Sequence, residues 1–491
     1  MRYVSLLLNK IIKSICSGLE DVMVFSSIDF IFRFLPIFLI GYYIAPKNYK
    51  NLILLIGSLI FYAWGDGLYT ILLVLSVFVN FIFGKLIAGH GQPNQTRKTR
   101  LIFLWTIIAI NFGLLIIYKY TGFLAENLNV ILNLFGTKIP PVNMHLPLGI
   151  SYFTFMTVSY QVDVYKREIK AANNIVTFGT YVVMFPKLIS GPITEYGELV
   201  SELRRRDISI QNIEEGLSTF IIGLGAKAIL ANNMGTLWAG MSRYGYESIS
   251  CPYAWLGAIS YSFQLYFDFL GYSLMAIGIG TMLGFKIPKN FDHPYASGSI
   301  SEFWRRWHIT LGRWFKKYIY FPLGGSRCST IKIIRNTFIV WAFTGLWHGA
   351  SWNFVLWGLI FFALIMLERF WLGKYLKRTH VLKHVYVCFL IPLTWVVFAL
   401  RDMGDIATYF SRLFPFGGSP DFVTTKDFWK ALGDYWYLLI ACVVFSLPVT
   451  EHIYKRFKDN IITKIALIGI FVLSMVLIHT SDSNPFMYFR F

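Results

Sequence analysis

The sequence predicts an all-α polytopic membrane protein, and three observations predict it. Of 491 residues, 56% are hydrophobic and only 14% are charged, whereas a soluble chain carries roughly 25% charged residues. The apolar residues extend over the whole length. They fall in runs approaching the roughly 20 residues that a helix needs to cross a bilayer. No polar stretch between them is long enough to fold separately, so residues 23–491 are expected to form a single membrane domain. About eleven transmembrane helices are expected, with interfacial and re-entrant helices beside them.

Taken in order, the candidate spans begin with Phe30 to Tyr43, Asn51 to Trp64, Tyr69 to Ile87 and Leu101 to Tyr118. His145 to Tyr160, Val176 to Ile193, Gly216 to Leu230 and Ala254 to Leu283 follow. The C-terminal part adds Asn336 to Trp352, Trp352 to Trp371, Val385 to Leu400, Tyr435 to Leu447 and Ile461 to Ile478. Several are short or interrupted by Gly and Pro, and these account for the re-entrant or tilted elements. Residues 1–22 carry Arg2, Lys10 and Lys13 and have no small-residue cleavage site after an apolar core. They read as an N-terminal extension, either an interfacial helix or a leader upstream of a start at Met23.

The loop after the first span carries Lys47 and Lys50, and the loop after the third carries Arg97, Lys98 and Arg100. The loop after the second carries Asp66 and no base. The positive-inside rule places the first and third loops in the cytoplasm and the N-terminus outside. The net charge of +19 lies in such short clusters between spans. That pattern fits anionic lipid and argues against nucleic acid. It also suits an anionic substrate such as a coenzyme A thioester. Cys16, Cys251, Cys328, Cys388 and Cys442 form no CxxC pair or metal-ligand spacing, so neither a metal site nor a disulfide framework is indicated.

The most informative stretch runs from Phe303 to Tyr318. On a helix at about 100° per residue, Trp304, Trp307, Leu311, Trp314, Phe315 and Tyr318 share one arc. Arg305, Arg306, Arg313, Lys316 and Lys317 share the opposite one. This is the pattern of a helix lying in the membrane interface. His308 falls on the apolar side, beside Trp304, Leu311 and Phe315.

A lone histidine on such a face is usually a core residue. A second one changes the balance: His348 sits in the apolar run from Phe338 to Leu367, where Gly345, Gly349 and Gly358 permit close helix contact. An ionisable group there is costly and points to function, and imidazole can take and return a proton near neutral pH. Asp163, Gln264, Asp268, Asn290 and Asn353 are further polar residues in apolar surroundings. Asp268 could orient a histidine or bind a backbone donor. The Pro322-Leu323-Gly324-Gly325-Ser326-Arg327 turn reads as a plain turn before it reads as an anion site.

These motifs, in this order, resemble the membrane-bound O-acyltransferase family in its alginate O-acetyltransferase branch. The resemblance runs from Met23-Val24-Phe25 through Phe61-Tyr62-Ala63-Trp64-Gly65, Leu146-Pro147-Leu148-Gly149 and Gly191-Pro192-Ile193. It continues through Tyr266-Phe267-Asp268-Phe269, Asn290-Phe291, the Trp304–Arg327 block and Gly345-Leu346-Trp347-His348-Gly349, and ends with Asn484-Pro485-Phe486 and Tyr488-Phe489-Arg490-Phe491. Leu274, Lys187 and Phe321 depart from the branch pattern, which usually has Asp, Gln and Ile there.

The resemblance implies a funnel-shaped bundle with a thin centre, in which His348 is the near-invariant catalytic residue and His308 the second conserved position. It implies acetyl-CoA as a cytoplasmic donor substrate, with no tightly bound cofactor. The acceptor is then a hydroxyl of an extracytoplasmic polysaccharide, reached directly or through an acetyl-accepting partner protein, at a bacterial cytoplasmic membrane. Trp304, Arg305, Arg306, Trp307, Asp268, Trp347 and Asn353 are the expected substrate-binding residues. His348 is the expected base, and His308 either orients the acceptor or donates to the developing oxyanion, as indole N–H groups of Trp304 or Trp347 would. A teichoic-acid D-alanylation-type acyltransferase is the second reading. A polysaccharide transporter is the non-enzymatic one, against which stand the lack of repeated halves and the low number of intramembrane carboxylates.

Overall fold

The computed structural model describes residues 23–89, 95–142, 144–416, 418, 423–480 and 487. The extension 1–22 and the terminal motifs Asn484-Pro485-Phe486 and Tyr488-Phe489-Arg490-Phe491 lie outside them. The described residues form helices and turns without a strand. The chain divides into two compact units, Met1–Phe220 with Met275–Pro288 and Ile221–Leu274 with Lys289–Phe491.

The principal helices of the first unit are α1 (Leu35–Ile44), α2 (Lys50–Asp66), α3 (Tyr69–Ala88), α4 (Arg97–Leu132), α5 (Ile150–Lys166) and α6 (Ile175–Val183). Helix α7 (Cys251–Met282) is divided between the units. The second unit continues with α8 (Ile300–Arg306), α9 (Ile309–Phe315), α10 (Thr330–His348), α11 (Trp352–Leu367), α12 (Leu382–Ala399), α13 (Lys426–Ser446) and α14 (Ile461–Thr480).

Among the described residues, seven helices are long and apolar enough to cross a membrane: Tyr69–Ala88, Arg97–Phe135, Cys251–Met282, Trp352–Leu376, Leu382–Ala399, Lys426–Ser446 and Ile461–Thr480. Phe30–Ile44 is a shorter apolar helix. The other stretches read as spans are helical but shorter, less apolar or broken. The run from Val176 to Ile193, for instance, stops at Met184 (ψ 112°) before the short helix Phe185–Leu188. A proline at position 186 suits the first turn of a new helix, where no donor is needed, and not the interior of an old one.

The first unit is held by polar groups used sparingly inside an apolar bundle. Asn80 on α3 and Asn111 on α4 exchange reciprocal side-chain amide bonds of 3.0 Å. Gln161 of α5 donates to the Asn80 carbonyl at 2.7 Å. All three are buried, and in apolar surroundings each amide left unpaired would be costly, so the network sets the register of the three helices. The Leu146-Pro147-Leu148-Gly149 segment is clipped to the end of α2 by Asp66, which accepts from the Leu148 N–H at 2.7 Å and meets His145 Nε2 at 2.8 Å. Lys187 is buried under the Tyr181 ring, 4.0 Å from its centroid, and donates to Thr194 Oγ1 at 3.0 Å.

In the second unit, α10 and α11 form a tight hairpin. A Cβ on Gly358 would lie 2.6 Å from the Trp341 carbonyl oxygen and 3.3 Å from the Gly345 Cα. A Cβ on Gly345 would collide with the Phe354 carbonyl oxygen. The facing glycines therefore let two backbones touch, which is the close contact expected of them. Gly358→Val should force the hairpin apart at a cost of about 1–3 kcal/mol. A lower midpoint of thermal unfolding in detergent would report it, and an unchanged midpoint would show that the hairpin has slack.

Candidate functional site

The segment from Phe303 to Tyr318 is not one continuous helix. It breaks at Trp307 (φ −101°, ψ 131°) and His308 (φ 44°, ψ 52°), so α8 carries Trp304 and α9 carries Leu311 and Trp314. The cause is Asn290, which lies outside both helices. Its carbonyl accepts the Ile309 N–H at 2.9 Å. Its Oδ1 accepts the Thr310 hydroxyl at 2.9 Å and the Thr310 N–H at 3.3 Å. The first donors of α9 are thus satisfied from outside, and the helix starts afresh there. His308 takes the left-handed backbone conformation that a non-glycine residue rarely holds, at a cost of roughly 1–2 kcal/mol. Strain of this kind gathers at functional sites.

The same Asn290 Oδ1 lies 3.1 Å from His308 Nδ1. An oxygen that already accepts from Thr310 requires a donor there, so Nδ1 carries the proton and Nε2 carries the lone pair. His308 is buried, and Nε2 has no protein hydrogen-bond partner. The imidazole stands edge-on to Phe269 at 4.7 Å and 5.9 Å from Trp347.

His348 is the last residue of α10, before Gly349 leaves the helix with extended backbone. It is 4% exposed. Its ring is enclosed by Trp347 at 4.8 Å, Trp357 at 5.0 Å and Phe398 at 5.2 Å. Both histidines therefore meet the Trp347 indole. The site is built from the α8–α9 break, the end of α10 and the facing sides of α11 and α12.

The other expected residues fall in different places. Trp304 packs against Trp341 at 4.9 Å and Trp357 at 5.5 Å, and its indole N–H is buried without a protein acceptor. Trp307 is buried, stacked on Phe303 at 5.4 Å and 5.0 Å from Trp395. Asn353 donates to the carbonyls of Val397 at 3.2 Å and Phe398 at 3.1 Å, tying the start of α11 to the end of α12, where Phe398 faces His348. Arg305 is exposed, while Arg306 is paired with Glu302 at 2.7 Å.

Asp268 forms a buried ion pair of 2.6 Å with Lys227 and accepts the Met487 N–H at 2.9 Å. These partners are an ammonium and a backbone donor, not an imidazole. The Pro322–Arg327 turn uses its own donors, Gly324 N–H to Phe321 and Gly325 N–H to Tyr320, each at 2.9 Å. It is a plain turn. Among the described residues one grouping has metal-ligand chemistry, Asp292, His293 and Glu451, and it includes neither histidine of the site. There Glu451 already binds the ammoniums of Lys289 and Lys455 and the His293 ring. Burial raises its pKa, but those hydrogen bonds outweigh burial and hold the carboxyl well below the usual range.

Two contributors were not marked by sequence pattern. Asn290 stood out as a polar residue in apolar surroundings and in the Asn290-Phe291 pair, with nothing to tie it to His308. Trp357 is fully buried beside His348, and its indole N–H has no protein acceptor. Such donors are rare in a packed interior, and two of them, on Trp304 and Trp357, lie on adjacent rings.

Comparison with known proteins places the chain. Residues 100–398 match the membrane-bound O-acyltransferase family. The "Probable alginate O-acetylase AlgI" of Pseudomonas aeruginosa is 37% identical over 80% of this chain and 75% of its own length. The protein of the same name from Azotobacter vinelandii is 33% identical over 96% of this chain and all of its own. The "Peptidoglycan O-acetyltransferase" of Helicobacter pylori is 31% identical over 96% of this chain and 98% of its own. Apolar helices of spanning length, two buried histidines on one indole and this likeness over nearly the whole chain lead to one conclusion: the chain belongs to the membrane-bound O-acyltransferase family and is a multi-pass membrane O-acyltransferase.

Proposed function

We propose that the protein takes an acetyl group from acetyl-CoA at the cytoplasmic face of a bacterial cytoplasmic membrane and delivers it to a hydroxyl of an extracytoplasmic polysaccharide, directly or through an acetyl-accepting partner protein. The relatives named for alginate and peptidoglycan O-acetylation support the acetyl group and the polysaccharide. The basic loops around Lys50 and Lys98 support a cytoplasmic donor side.

The observation that carries the chemistry is the pair of buried imidazoles on Trp347. In this reading His348 takes the proton of the acceptor hydroxyl as its oxygen attacks the thioester carbonyl carbon. The tetrahedral intermediate then collapses, the carbon–sulfur bond breaks, and the proton passes to the leaving thiolate. The indole donors of Trp304 and Trp357 suit the developing oxyanion, because a buried donor without an acceptor needs no reorganisation to meet new charge. The lone pair on His308 Nε2 suits orienting the acceptor by receiving its O–H. It does not suit donation to an oxyanion, so of the two roles the sequence left open for His308, orientation is the one retained.

Purified protein in lipid nanodiscs, given acetyl-CoA and an O-deacetylated polysaccharide, should release free coenzyme A and place acetyl groups on the polysaccharide. Adding the extracytoplasmic partner should be required if transfer is indirect. Absence of thiol release under both conditions would exclude acetyl-CoA as donor.

A further inference from the structure

Lys50 and Arg206 of the first unit are cations that no carboxylate among the described residues balances. Arg206 donates Nε to the Tyr42 hydroxyl at 2.6 Å, and Nη1 to Asn51 Oδ1 at 2.7 Å and to the Glu202 carbonyl at 3.0 Å. Its guanidinium lies 4.5 Å from the Phe285 ring centroid. Lys50, 9% exposed, donates to the Tyr42 carbonyl at 2.9 Å. Each of these acceptors is neutral, and among the described residues no carboxylate lies within ion-pair distance of either cation. Glu202 spends its side chain on the Ser201 hydroxyl.

The two charges also crowd one ring. Lys50 Nζ is 4.7 Å and the Arg206 guanidinium 5.6 Å from the Tyr42 centroid. Tyr42 is fully buried, and its hydroxyl donates to the Leu283 carbonyl at 2.8 Å. Like charges that share one ring repel, and more so where water is scarce. Arg206 Nη2 is buried with no protein acceptor. A planar donor left open on a ring that an ammonium also contacts suits a tetrahedral oxyanion, with the guanidinium giving directed bonds and the ammonium a point charge.

We propose that Lys50 and Arg206 form a phosphate-binding site. The phosphate can belong to a phospholipid headgroup or to a soluble cofactor such as coenzyme A, and both carry the same group. The site shares no residue with the histidine cluster and rests on geometry within the first unit alone.

Thermal unfolding of the purified full chain in detergent tests it without any need for turnover. Phosphatidylglycerol, diacylglycerol of the same chains, and coenzyme A are titrated separately against wild type, Lys50→Gln and Arg206→Lys. Lys98→Gln, at an exposed lysine of the same unit, is the control. A ligand that binds only the folded chain raises the midpoint. A rise with phosphatidylglycerol but not with diacylglycerol identifies a lipid phosphate, and a rise with coenzyme A identifies the soluble source. In either case Lys50→Gln should weaken apparent affinity about tenfold, the scale of one charge-assisted contact, while Lys98→Gln should not. Arg206→Lys keeps the charge and loses the fork, so it separates loss of the fold from loss of the ligand. No rise with either phosphate compound in wild type overturns the proposal, and so does the same rise in Lys50→Gln as in wild type.

Discussion

His348→Ala is expected to lower kcat for acetyl transfer by roughly 10²–10⁴-fold, the usual contribution of a positioned general base. The ring it removes is enclosed by Trp347, Trp357 and Phe398. Truncation therefore also leaves a cavity, and lost stability could imitate lost chemistry. His348→Gln separates the two, because it keeps most of the volume and a hydrogen-bonding end but cannot accept and return a proton near neutral pH. Both variants should lose turnover, while the glutamine variant keeps a near-normal elution profile and unfolding midpoint. Turnover near the wild-type rate in well-folded His348→Gln would remove His348 from the chemistry.

The second large effect is expected at His308 and its anchor. His308→Ala should lower kcat less than His348→Ala, by about 10–100-fold if the ring orients the acceptor and does not itself carry the proton. Asn290→Ala should follow it in the same direction, since Asn290 Oδ1 both starts α9 and holds His308 Nδ1. The tautomer is the discriminating feature. Without Asn290, Nδ1 loses its fixed acceptor, and the proton can occupy either ring nitrogen. Imidazole nitrogen chemical shifts in histidine-labelled protein should then show Nε2 losing its pure acceptor character, while a residue that only packs would leave them unchanged. Wild-type kcat in both variants would confine this pair to shaping the α8–α9 break.

The likeness to curated O-acetylating proteins covers up to 96% of the chain, so the family does not depend on one motif. The site departs from a simple two-histidine picture in one respect. The aromatic side chains of Trp347, Trp357 and Phe398 surround His348 and leave it 4% exposed. A buried indole N–H such as that of Trp357 then counts for more than it would at a surface, because its field acts in a medium of low dielectric.

The sequence alone marked the membrane class and singled out two histidines in apolar surroundings. It read about eleven spans, where seven helices among the described residues are long and apolar enough to cross a membrane. Apolar runs of spanning length follow from composition and order alone, and an imidazole inside such a run is conspicuous because burial is costly. The glycines at 345 and 358 were legible for the same reason, since small residues in an apolar helix mark backbone contact. Periodicity then misled over the Trp304–Tyr318 stretch. It registers which residues are apolar, but not that Asn290, 18 positions before His308, takes the donors a continuous helix would use. Tertiary structure alone decided that break, the tautomer of His308 and the pairing of Asp268 with Lys227. It also decided the place of Trp357 against His348 and the meeting of Lys50 with Arg206 on Tyr42. Each of these is a contact between side chains remote in sequence, and hydropathy and helical period carry no record of partners. Which charge is balanced and which is left open is settled only when the elements pack.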